Sequence, residues 1–292
     1  VAVSAGALNR VRMARAGFVA ALWSVLLGLA GGCASTVVTP ADSPATVDAV
    51  TLNLWHDKQG WPRRQDAIVA DLRARGPDVI LLQEVLQDAA LPNQAQVLAS
   101  RLGYQYRFFS ADAPTQARRY GNAILVRGTI EASREVRLAP LDDYRNAGWV
   151  RTTVDGRPLN VYVTHLHHTP EGGAIRAEQI AGVLTLIGET AGDAPSIIGG
   201  DFNARSDMPE LAPLRARFAE AYSDAHPGVD ANALVHATLN PHLGHAPIRI
   251  DHVFAQRDAF RVVDADIILD QPDATGAWPS DHYGVWVRLM HS

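Results

Sequence analysis

Carboxylates, amides and imidazoles recur in this 292-residue chain at the ends of apolar runs, where a sheet would expose them at one rim. Glu84 follows Val79-Ile80-Leu81-Leu82-Gln83, and Asp201 and Asn203 follow Ile197-Ile198-Gly199-Gly200. Asp251 follows Ile248-Arg249-Ile250, and Asp281-His282 lead into Tyr283-Gly284-Val285. One such residue alone reads as a solvated strand end or a turn cap. Several placed alike point to one site assembled from distant segments. Oxygen donors of this kind suit a hard cation, Mg²⁺ first and Mn²⁺ or Ca²⁺ as alternatives. Histidines beside carboxylates are natural proton-transfer partners near neutral pH. Together they suit hydrolysis of a phosphate ester by activated water, where charge on the phosphoryl oxygens must be neutralised.

The elements that must position these residues are legible as alternating β and helical patterns from Ala49 onward. Strands are predicted at Val50–Trp55, Val79–Leu82, Tyr104–Phe109, Asn122–Val126, Arg134–Leu138, Gly148–Val154, Asn160–Thr164, Pro195–Ile198, Ile250–Ala255, Arg261–Leu269 and Tyr283–Leu289. Helices are predicted at Arg64–Arg75, Pro92–Leu102 and Ala174–Glu189, with an irregular stretch between Ile198 and Ile250. Many strands with few helices imply an α/β sandwich of four layers, two packed mixed sheets flanked by helices. With 47% hydrophobic residues the chain can fill such a core.

The motifs arrive in an order that resembles the endonuclease/exonuclease/phosphatase superfamily of deoxyribonuclease- and sphingomyelinase-like phosphoesterases. Thr51-Leu52-Asn53-Leu54-Trp55 resembles its first strand, and Asp78 to Glu84 its second, which ends in Gln-Glu. Tyr120-Gly121-Asn122-Ala123-Ile124-Leu125 and Val163-Thr164-His165-Leu166, followed by Arg176 and Gln179, resemble the next two segments. Gly199-Gly200-Asp201-Phe202-Asn203, Arg249-Ile250-Asp251-His252 and Ser280-Asp281-His282-Tyr283 complete the series. The resemblance implies Glu84 as the principal metal ligand, with Asn53 and Asp281 beside it. It implies that Asp201 and Asn203 position the attacking water and the scissile phosphate. His282, oriented by Asp251, is implied as general base or its equivalent; His165 would contact a phosphoryl oxygen and could serve as acid, and Asn122 would help to bind the phosphate. A non-catalytic binding module on the same fold would have lost at least one of these side chains, and none is lost.

Substrate class divides between nucleic acid and a phospholipid or sphingomyelin-type headgroup. A single metal-dependent monomer acting on either is expected. His165-Leu166-His167-His168 also opens like the His-x-His-x-Asp-His of metallo-β-lactamase-type hydrolases, but Thr169 and Pro170 stand where the carboxylate and last imidazole belong. His236, His242 and His245 read as a loop near the substrate, Trp278 as a pocket wall or packing residue, and Arg118-Arg119-Tyr120 as a small basic-aromatic cluster.

The first 33 residues are of another kind. Arg10, Arg12 and Arg15 precede an uncharged apolar run, Gly17 to Ala30, which ends at Gly31-Gly32-Cys33. That pattern reads as an export signal. Cys33, the single cysteine, resembles the lipidated residue of a bacterial lipobox, although Ala30 stands where Leu is usual. Residues 34–48 read as a flexible tether before a catalytic domain over 49–292. The expectation is therefore an exported, membrane-anchored lipoprotein, periplasmic or at the cell surface. Without residues 1–33 the chain has 23 basic and 31 acidic residues, a net charge of −8, which weighs against a tight or processive grip on long DNA.

Overall fold

The computed structural model describes residues 45–230 and 233–292, all within one unit. The expected signal, Cys33 and the tether as far as residue 44 lie outside the described residues. Strands and helices follow in the order β1 (Thr46–Asn53), α1 (Trp61–Arg75), β2 (Val79–Gln87), α2 (Gln94–Leu102), β3 (Gln105–Phe109), β4 (Arg119–Val126), β5 (Ile130–Arg137), β6 (Asn146–Val154), β7 (Arg157–His165), α3 (Gly173–Thr190), β8 (Ser196–Asp201), α4 (Ala212–Arg215), β9 (Phe218–Glu220), α5 (Ala221–Ala225), β10 (Asp251–Gln256), β11 (Phe260–Ile268) and β12 (Gly284–His291). They form two six-stranded mixed sheets, ordered β11-β12-β1-β2-β4-β3 and β5-β6-β7-β8-β10-β9.

Apolar runs in the central strands are continuous because both faces of each sheet are covered. Val79 and Leu81 of β2 point into the core between the sheets with Val161, Val163, Ile197 and Val253. Their neighbours Ile80 and Leu82 point outward under α1 and α2, packed with Ile68, Leu72 and Leu98. In the second sheet Ile198 and Tyr162 pack under α3 with Ile180, Val183 and Leu186. The expected four layers are thus present.

Two parallel pairs aim their ends at the same rim. β1 runs parallel to β2, bringing Asn53 beside Gln83, and β7 runs parallel to β8, bringing His165 beside Asp201. β10 runs antiparallel to β8 and starts at that rim, with Asp251 opposite Asp201. Gly200 is needed there, because a Cβ would lie 2.0 Å from the carbonyl oxygen of Thr164 on the neighbouring strand.

Some boundaries differ from the sequence reading. β1 starts at Thr46, within the expected tether, and ends at Asn53, because Trp55 and His56 take left-handed backbones at φ 56° and 48°. β2 continues to Gln87 through a register break between Leu82 and Val85. The stretch read as irregular holds α4, β9 and α5, which are too short to show a period.

Two buried charges lock the loops around this frame. Arg64 on α1, 1% exposed, donates to the backbone carbonyls of Leu54, Trp55, His56, Lys58 and Pro279. Burial, only partly offset by Asp281, Asp57 and Glu84, lowers its pKa to about 10, so it stays charged. Glu220 at the end of β9 accepts from the backbone N–H groups of Tyr222 and Ser223 and lies 3.5 Å from Arg249 and 3.4 Å from His252.

Arg64→Lys keeps the charge but loses the planar fork, leaving buried carbonyls unpaired. A loss of about 2 kcal/mol in urea-measured stability is expected at roughly 1–3 kcal/mol per unsatisfied buried group. Burial opposes ionisation of Glu220, but His252, Arg249 and Ser223 outweigh it and hold its pKa down to about 2. Its folded value lies below the unfolded value of about 4.3, so its stabilisation is full above that pH and is lost as pH falls towards 2. Unfolding followed against pH should show that acid slope, and Glu220→Gln should flatten it while costing about 3–5 kcal/mol at neutral pH.

Candidate active site

Asp201 occupies the centre of the rim, 2% exposed, and four side chains or backbone groups converge on it. Asn53, across the gap between the sheets, donates its amide to Oδ2 at 3.1 Å. The backbone N–H of Asn203 donates to Oδ1 at 2.9 Å, made possible by the left-handed turn of Asn203 at φ 49°. His165 Nε2 lies 3.4 Å and His282 Nε2 3.9 Å from Oδ2. Asn203 fixes its own side chain by donating to the carbonyl of Leu166 at 3.0 Å.

Asp251 is fully buried, and its two carboxylate oxygens differ in their surroundings. One oxygen lies 2.8 Å from His282 Nδ1, so the free nitrogen of that ring is Nε2, facing Asp201. Its other oxygen, Oδ1, has no hydrogen-bond partner. Thr238 supports the strand start by accepting from the N–H groups of Ile250 and Asp251 at 3.0 and 3.1 Å.

The electrostatics follow from that crowding. Burial and the adjacent Asp251 raise the pKa of Asp201 above the ordinary carboxylate range, against the pull of His282, Asn203 and Asn53. Burial works against an imidazolium at His282, yet Asp251, Asp201 and Asp281 outweigh it and raise the pKa to about 10. Burial and the nearby Arg145 push His165 well below its ordinary value, so it is neutral at pH 7.

Glu84 sits in the β2 register break at φ 55°, a left-handed backbone costing about 1–3 kcal/mol outside glycine. That turn lifts it out of the strand's alternation towards His56, whose Nε2 is 2.8 Å from Oε2. Burial opposes its charge, but His56, His165 and His282 hold its pKa down to about 2. Asp281 lies between Ser280, which donates to the carbonyl of Asn53 at 2.7 Å, and His245, 3.6 Å away.

The fold gathers Asn53, Glu84, His165, Asp201, Asn203, Asp251, Asp281 and His282 at one rim, whereas Cys33 lies outside the described residues. Asn122 on β4 lies opposite the register break that holds Glu84 and donates at 2.6 Å to Asn146, which itself bonds to Glu135. Arg176 and Gln179 serve the loop after His165: Arg176 bonds to Glu210 and to the carbonyls of His167 and Thr169, and Gln179 accepts from the His167 N–H. His167 is tied to Asp143 at 2.9 Å. His242 stacks on Trp278 at 4.8 Å, while His236 bonds to Tyr222. The sequence reading missed His56, Arg64, Asn146 and Thr238. Arg64 carried no signal beyond helix membership, and His56 was hidden by an unforeseen left-handed turn.

The donor chemistry fits a hard divalent cation. Among the described residues, ligand atoms of Asp201, Asp251 and His282 lie within 4.8 Å of one another, and the unpartnered Asp251 Oδ1 is one of the buried oxygens there. Glu84, Asp281 and the Asn53 amide supply further oxygens, although Glu84 is turned to His56 and Asp281 to His245. A single cysteine, far outside this rim in sequence, excludes a thiolate site.

Comparison with known proteins accords with this geometry. The sequence model described as the Endonuclease/Exonuclease/phosphatase family matches residues 50–282. Tyrosyl-DNA phosphodiesterase 2 of Mus musculus is 25% identical over 269 residues, covering 88% of this chain and 69% of that protein. Nocturnin of Drosophila melanogaster is 25% identical over 271 residues, but the chain spans only 41% of its length. The fold is shared with D. rerio TDP2 in complex with a single-strand DNA product, at a TM-score of 0.69, 21% identity and 84% and 99% coverage of the two chains. It is shared too with the human nocturnin catalytic domain, at 0.67, 23% identity and 85% and 95% coverage.

These relatives correct the expected location. They are a mouse DNA phosphodiesterase and a fly nocturnin, neither of them a periplasmic or cell-surface lipoprotein by name. Among the described residues no helix is long and apolar enough to cross a membrane. The segment ending at Cys33, on which the membrane placement rested, lies outside the matched residues 50–282. What the motifs and the rim establish is narrower and firmer: the chain belongs to the endonuclease/exonuclease/phosphatase family.

Proposed function

We propose that this protein hydrolyses phosphodiesters of the nuclease type with a divalent cation, and that nucleic acid is its substrate class. The single observation that carries the reading is Asp201, buried at the meeting point of Asn53, Asn203, His165, His282 and Asp251. The family match over residues 50–282 and the DNA named in the mouse relative support the same class.

Glu84, with Asn53 and Asp281, would hold the cation. Bound there, a hard cation neutralises charge on the phosphoryl oxygens and makes water a better nucleophile. The side chains of this chain do the rest. Asn203 and Asp201 orient the attacking water, and Asp201, its pKa raised by burial and Asp251, takes its proton as the water oxygen bonds to phosphorus and the P–O bond to the leaving oxygen breaks, that oxygen being protonated from solvent. His282 is held as an imidazolium by Asp251 and presents Nε2–H to a phosphoryl oxygen, which is an electrostatic role and not that of the expected general base. Neutral His165 offers a hydrogen bond to the same phosphate. Asn122 holds Asn146 across the two sheets beside the Glu84 register break.

Purified protein with Mg²⁺ should cleave plasmid DNA or RNA and leave sphingomyelin intact. Cleavage of sphingomyelin alone would overturn the substrate class. EDTA should abolish turnover and added Mg²⁺ restore it, with Mn²⁺ and Ca²⁺ compared alongside. Asp201→Asn and His282→Ala should each lower kcat by about 10²–10⁴-fold with unchanged circular dichroism. Near-normal turnover in both variants refutes the mechanism.

A further inference from the structure

We propose that the cleft beside Glu84 is a ring-binding subsite, which takes a planar nucleobase adjoining the scissile phosphate. The proposal rests on the nuclease-type reading above and narrows it to a nucleotide unit. The cleft has a volume of about 260 Å³ and is lined by His56, Ala111, Asp112, Arg118, Tyr120 and Tyr144. Pockets for drug-sized ligands run from roughly 300 to 1,000 Å³, so this space suits one ring system.

Its position is fixed by His56. That ring stacks on Tyr120, with centroids 4.8 Å apart and planes 21° from parallel, while its Nε2 reaches Glu84 at 2.8 Å. An occupant of the cleft is therefore separated from Glu84 by the width of one imidazole. A group in that place is the substituent next to the phosphate, not a distant part of the substrate.

Tyr144 lines the same cleft. It is 62% exposed and held at φ 55°, where a non-glycine backbone is strained. A large aromatic side chain displayed at such cost beside a catalytic rim offers a stacking face. Every base has a π-face, and stacking of this kind is tolerant of sequence.

The polar groups select the same ligand. Asp112 has Oδ2 committed to the Tyr120 N–H at 2.8 Å, while Oδ1 accepts no hydrogen bond among the described residues and can receive a base N–H group. Arg118 is exposed and makes no ion pair or hydrogen bond among the described residues. It is placed to meet a phosphate flanking the bound nucleotide. A choline-type headgroup would instead bring its cation against this guanidinium.

Calorimetry on the intact chain decides the matter, with thymidine 5′-monophosphate and 2-deoxyribose 5-phosphate as probes. The wild type should bind the thymidine compound about tenfold more tightly, the contribution expected of one stacked base. Tyr144→Ala should erase that preference and Tyr144→Phe keep it, with deoxyribose phosphate binding unchanged in both. Arg118→Ala should weaken thymidine 3′,5′-bisphosphate more than the monophosphate. Equal affinity of the wild type for the two probes, or a Tyr144→Ala loss equal for both, overturns the subsite. Preferential binding without cleavage of any nucleic acid would leave the subsite standing and sink the nuclease reading instead.

Discussion

Two carboxylates buried side by side set the terms for the rest of the molecule. Asp201 and Asp251 face each other across β8 and β10, at 2% and 0% exposure. Both cannot carry charge there without compensation, because desolvation and like-charge repulsion act together. The compensation is supplied by His282 on one side and by N–H donors from Asn53 and Asn203 on the other. Each of these comes from a different segment, so the pair is tolerable only when the sandwich is complete. The cluster that would make the chemistry thus also requires the fold.

The strand ends carrying Glu84, Asp201, Asp251 and His282 were legible because a charge after a run such as Val79 to Leu82 breaks a pattern that burial otherwise enforces. The two-sheet architecture followed from the same runs. What escaped were features with no period and no composition of their own. β9 has three residues and α5 five, so neither gives an amphipathic repeat. The role of His56 depends on φ values of 56° and 48° at Trp55 and His56, which ordinary side chains do not announce. The field at His282 was not legible at all, because it comes from Asp251, Asp201 and Asp281, which only the folded chain assembles.

The supporting interactions show a division of labour. Arg64 and Arg176 are both buried and both spend their guanidinium chiefly on backbone carbonyls, one for the loops at Leu54 and Pro279, the other for the loop at His167 and Thr169. Loops without regular structure are thereby tied to the helices that carry these side chains. That suits a reaction in which positioning supplies much of the rate. The acidic balance of the chain is compatible with this, since the ligand need be gripped only over a short length.

The hydrogen bond from Asn53 to Asp201 links residues 148 positions apart and joins the two sheets by a polar contact at the rim. Close-packed apolar layers behave as stiff slabs and resist compression. They have far less directional preference against sliding, since dispersion forces are nearly isotropic. With the Asn122–Asn146 bond between β4 and β6, that amide therefore acts as a detent, giving the stacked slabs a preferred alignment. An N–H chemical shift at the Asn53 side chain would report their displacement, much as a vernier reads the offset of two scales.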